Sequence, residues 1–139
     1  MNKQLFDYLL NQFEPSYCLS NYIAWKKGQT KDVSPDGLYS VRCEIKNQLV
    51  QKAFIRGGNE GIRYLIAMIN KGDEDESGRA VTLIGEIGDN FPNFNLQKVL
   101  SKRLSREPTT WDFTRRIEHS IEELVRKTSE RLSPLPSNE

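Results

Sequence analysis

Four kinds of residue in this chain invite a chemical reading: one histidine, two cysteines, a run of acids and a glycine-rich turn between arginines. His119 is the single histidine and so the one imidazole available as a general base. Glu118, Glu122 and Glu123 surround it in sequence, and it falls opposite an apolar stripe, which places it on a solvated face. A thiol nucleophile would need Cys18 or Cys43 beside that imidazole, and no local pattern brings them there. The two cysteines lack zinc-ligand spacing and read as reduced, buried thiols. Asp73, Asp75, Ser77 and Gly78 match the first, third, fifth and sixth positions of a calcium-binding loop. The closing position of that loop, where a bidentate glutamate belongs, is Ile84. Residues 73–78 therefore read as an exposed acidic loop, and no metal is expected. The remaining carboxylates fall on faces that read as exposed, with none marked as buried.

Gly57, Gly58 and Gly61 open a helical pattern between Arg56 and Arg63. A helix N-terminus attracts anions, so Arg56, Gly58 and Arg63 are the candidate anion contacts. The order of a dinucleotide or phosphate loop is missing, and the stretch reads first as a turn between helices. Nucleic acid is the stronger alternative. Residues 96–132 carry nine bases against six acids, arranged as helix, proline-containing turn and helix. Laid on a helix-turn-helix, Lys102, Arg103 and Arg106 meet phosphates, while Arg115, Arg116 and His119 face a groove. The turn lacks a central glycine, the second helix is long for a recognition helix, and its polar face mixes acids with bases. This reading requires one continuous positive face.

These residues are positioned by helices. The clearest spans residues 109–132: Thr109 at the N-cap, Asp112 completing a capping box, and Phe113, Ile117, Ile121, Leu124, Thr128 and Leu132 forming a stripe. Glu122–Arg126 and Glu123–Lys127 are expected as ion pairs at i,i+4. A first helix over residues 2–13 gathers Leu5, Phe6, Leu9, Leu10 and Phe13, and a second over 16–27 carries Trp25. Ser34-Pro35-Asp36 starts a helix to Ile55 whose stripe is Leu38, Val41, Ile45, Leu49 and Ala53. Asn59 starts another, with Ile62, Leu65, Ile66 and Ile69 on its core face. Residues 79–90 fit a helix weakened by Gly85 and Gly88, or a short strand. Asn95 caps a helix to Ser105.

A charge of +1, with 20 bases and 19 acids, recruits neither nucleic acid nor anionic lipid by its overall field. No apolar run is long enough to span a bilayer. The expectation is an all-α protein: a single compact bundle of six to seven helices over residues 1–132 with a long C-terminal helix, followed by a disordered tail, 133–139. Catalytic residues and cofactors are not expected. The leading function is a non-catalytic, cytoplasmic protein-binding module (an adaptor, regulator or subunit) whose partner is another protein or a second copy. Trp25, Trp111, Arg115 and His119 are its candidate contacts. A DNA-binding regulator is the first alternative. The second is a small-ligand or enzyme domain with an inter-helix pocket near Cys43, Arg63 or Tyr64.

Overall fold

The computed structural model describes residues 3–14, 35–71, 73–106 and 110–132, with the side chains of 35–41, 112, 131 and 132 left aside. Among them there is no strand, and five α-helices are present: α1 (Lys3–Gln12), α2 (Pro35–Lys71), α3 (Glu74–Ile87), α4 (Leu96–Leu104) and α5 (Trp111–Leu132). The helix expected over 16–27, with Cys18 and Trp25, lies outside the described residues, as does the tail from 133. The two helices expected over 34–55 and 60–70 are the two arms of α2, which meet at Gly58, so five α-helices rather than six to seven stand among the described residues.

Helix α3 settles the ambiguous stretch as helix. The acids read as a loop are its N-terminus. Asp73 accepts from the Glu76 amide at 2.8 Å, and the Glu76 side chain accepts from the Asp73 amide at 3.3 Å, which closes a capping box. Glu74, Asp75 and Glu76 then fill the first turn, where negative charge meets the positive end of the helix dipole. Beyond them Ser77, Gly78, Ala80, Val81, Leu83, Ile84, Gly85 and Ile87 are all buried. The Ser77 hydroxyl donates to the Met68 carbonyl at 2.9 Å, tying this start to the end of α2. Gly85 does not weaken the helix; it admits a neighbour. A Cβ there would stand 2.7 Å from Ser120 Oγ and 2.9 Å from Ser120 Cα, so α5 crosses α3 at a distance only glycine permits. At that crossing the Ser120 hydroxyl donates to Val81 O at 2.9 Å.

Helix α2 corrects the expected stripe. Its core face is Cys43, Asn47, Val50 and Phe54, while Ile45 and Leu49 point outward. Asn47 is tolerated inside because both halves of its amide are used. Its Oδ1 accepts from the Glu14 amide at 2.8 Å, and its Nδ2 donates to the Glu14 carbonyl at 2.7 Å. Gly58 breaks α2 with φ 61° and ψ −142°. Phe54 and Tyr64, on either side of the break, come together with ring centroids 6.1 Å apart. Phe6 of α1 stacks on Phe54 at 5.3 Å and meets Tyr64 at 5.3 Å, so three aromatic rings join α1 to both arms.

The core runs from Phe6, Leu10 and Phe13 through α2 and α3 to Leu96, Leu100, Phe113, Ile117 and Leu124. Asn95 caps α4, accepting from the Lys98 amide at 3.2 Å. Helix α5 starts one residue later than expected. Thr110 Oγ1 accepts from the Phe113 amide at 3.2 Å while its hydroxyl meets Glu74 Oε1; Thr109, the expected cap, lies outside the described residues. The two i,i+4 ion pairs expected on α5 are replaced. Arg126 binds Glu123 at 2.7 Å and Glu130 at 2.8 Å, and Lys127 crosses to the Glu86 carbonyl at 2.6 Å.

Candidate functional site

An open groove of about 670 Å³ runs between α2, α3 and α5. Helix α2 contributes Glu44, Gln48 and Gln51, and α3 contributes Thr82, Gly85 and Glu86. The α5 wall is Arg115, Arg116, His119, Ser120, Glu123, Arg126 and Lys127. The helical period dictates this distribution: Glu44, Gln48 and Gln51 are neighbours at i, i+4 and i+7 on the flank of α2 beside its buried stripe.

Glu86 is the chemical centre of the groove. It is the lone acid on α3 after the first turn and lies among buried aliphatics. Gln51 Nε2 donates to its Oε2. Burial pushes its carboxyl up to about 7, the Glu44 carboxylate adds to the rise, and Lys127 and the Gln51 hydrogen bond oppose it. Glu44 is itself raised, chiefly by burial, with the Gln48 side chain opposing. Glu123 is lowered, first by its hydrogen bond from Arg126. One wall thus carries Glu86, whose carboxyl holds a proton near neutrality, beside the raised Glu44 carboxyl, and the facing wall carries cations. Such a site can exchange a proton with a ligand, or pair with a ligand bearing both signs of charge.

The sequence did not single out Glu86, Glu44 or Gln51, and it placed every carboxylate on an exposed face. The available signal was the isolation of Glu86 within Ala80–Ile87, an otherwise apolar and small run. His119 is exposed, as expected from its flanks, and stands on the groove wall. Arg115 shares that wall, pairs with Glu118 at 3.6 Å and lies 6.0 Å from the Trp111 ring. Trp111 is 74% exposed. Three of the partner-contact candidates, Trp111, Arg115 and His119, therefore share one region of α5.

The five bases proposed for DNA divide among three settings. Arg103 donates from Nε to the Ile69 carbonyl at 3.2 Å and lies 4.5 Å from the Phe113 ring centroid. Arg106 donates to the Asn70 carbonyl at 3.0 Å. Both satisfy carbonyls at the C-terminal end of α2, where cations complement the helix dipole. Lys102 is exposed on α4, and Arg115 and Arg116 line the groove. Arg56 is exposed, Gly58 is the break inside α2, and Arg63 is exposed at 5.9 Å from the Phe94 ring centroid.

Cys43 is buried as a free thiol, and Tyr64 borders a different depression with Lys3, Lys71 and Glu76. The Tyr64 hydroxyl donates to Asp7, and its own ionisation is pushed up by burial and by that acid. A further hollow of about 380 Å³ lies under the Phe91–Phe94 turn, against Leu124 and Thr128. Among the described residues no group of three or more potential ligands could hold a metal ion. None of their helices is long and apolar enough to cross a membrane. Comparison with protein-family models, with curated proteins and with solved structures finds no match.

Proposed function

We infer that this protein is a non-catalytic helical module that binds another protein. One observation carries the reading: α2 seats one face on the core and presents Ile45 and Leu49, 38% and 61% exposed, on the other. A helix that buries one apolar face and offers a second resembles half of a helix–helix interface. The single cluster of buried residues from α1 to α5 supports residues 1–132 acting as one compact domain, and the balanced charge suits a cytoplasmic setting. The test is the solution mass of the full chain by light scattering, alone, with duplex DNA at low salt, and with fractions of cell extract. The expected result is a mass unmoved by DNA that rises with a protein fraction. A shift with DNA that reverts on adding salt overturns the reading and restores the helix-turn-helix alternative.

Glu86 favours a second reading, a groove that takes a small polar ligand. A carboxyl poised near neutrality beside facing cations is the arrangement such a ligand uses. Calorimetric titration with small zwitterions separates the two, because Glu86→Gln removes binding in the groove and leaves the outward face of α2 intact.

A further inference from the structure

The outward face of α2 has a spacing and a charge pattern of its own. Arg42, Ile45, Leu49, Lys52 and Arg56 recur at alternating intervals of three and four, and all five are exposed. That interval is the seam of a coiled coil, on which side chains of one helix seat between those of a second. From Arg42 to Arg56 the seam covers about 21 Å at about 1.5 Å per residue. Its middle is aliphatic and both ends are basic. No acid interrupts it: Glu44 turns into the groove, and Lys46, beside the seam, is paired with Glu14 at 3.5 Å.

We propose that this seam docks an amphipathic helix of a partner protein whose own seam carries two central apolar residues flanked by acids. The proposal rests on the protein-binding reading above and specifies the partner's chemistry. Two other occupants fit less well. A second copy in parallel register sets Arg42 against Arg42. In antiparallel register, with Ile45 against Leu49, Arg42 falls opposite Lys52. Either way like charges meet at both ends of the apolar pair, which is destabilising. A bilayer surface suits a broad apolar sector sunk into the headgroups, whereas here the aliphatic part is a line two side chains long. A helix with acids at its flanking seam positions satisfies both the aliphatic centre and the basic ends.

The test uses the full chain and two labelled helix-forming peptides of about three heptads, the length over which such a seam can zip. Both carry leucine at the two central seam positions. One has glutamate at the flanking positions and the other lysine. Fluorescence anisotropy should show the glutamate peptide binding about tenfold or more tightly than the lysine peptide, with the gap narrowing as salt screens the end charges. Leu49→Asp should abolish binding. The triple variant Arg42→Glu, Lys52→Glu, Arg56→Glu should reverse the preference, a result that general damage to the fold would not give. All four positions are exposed, and circular dichroism verifies that the helices are retained. Equal binding of both peptides, binding of neither, or indifference to Leu49→Asp overturns the seam. So does capture by phosphatidylserine vesicles without binding of the glutamate peptide. Loss of the seam leaves the protein-binding reading standing if complexes from cell extract still form with Leu49→Asp. The DNA shift described above is what removes that reading itself.

Discussion

Glu86 concentrates the chemistry of the molecule in one side chain, and its protonation has a thermodynamic consequence. Its folded-state value of about 7 lies above the ordinary 4.5, so between those two pH values the folded protein binds a proton more tightly than the unfolded chain. The stability it contributes is complete below about 4.5 and is lost as pH rises through about 7. Glu86→Gln is nearly isosteric, keeps an acceptor for Gln51 and removes the buried charge. Urea unfolding at pH 8 should find the variant more stable by on the order of 2 kcal/mol, and at pH 4 the difference should vanish. Stabilisation of equal size at both pH values would show that the Glu86 carboxyl keeps its ordinary value in the folded protein. Neither its burial nor the closeness of Glu44 was legible in the sequence, because both depend on α2 lying against α3. His119 was legible, since its acidic neighbours on one helix face fix its exposure locally.

At the scale of the element, the instructive case is α2. Two stripes compete on it, and hydropathy favours the one that includes Ile45 and Leu49. The core takes the other, with Cys43, Asn47, Val50 and Phe54, because Asn47 satisfies both backbone groups of Glu14 and Phe54 completes the aromatic trio. Such a choice depends on partners far along the chain, so periodicity could not make it. The prediction that follows is a contrast in urea unfolding. Leu49→Ser should change stability by less than about 0.5 kcal/mol, while Phe54→Ala should cost about 3–5 kcal/mol. Local signals fared better. Asn95 caps α4 as its residue type suggests, and the glycine pair after Arg56 does mark a break, although the helix resumes past it. Gly58→Ala places a side chain at positive φ with open space around it, so backbone strain alone should cost about 1–2 kcal/mol. Thr110→Ala should cost about 1 kcal/mol by removing the α5 cap. A larger loss there would report the tie to Glu74 as well.

For the whole molecule, helical class was readable from amphipathic periods, caps and breakers, all of them local. The groove and the outward seam were not, because each is a relation between faces. A chain of nearly zero net charge can still carry a locally basic ridge, and this one does along α2. Arg103 and Arg106 also show that a basic residue is not a free cation once it closes the end of a helix. Helix α3 lies at the centre of the packing, touching α1, α2 and α5, with most of its length buried. That position bears on how the protein opens. Leu83 and Ile84 stand fully buried in the middle of α3, away from both of its ends. Exchange of their backbone amides with heavy water should therefore follow complete unfolding only, with one common opening free energy, while amides of α1 exchange sooner through partial openings. In the native protein, then, a single slow proton signal from the middle of α3 would serve as a gauge of the whole free energy of folding, with no denaturant added.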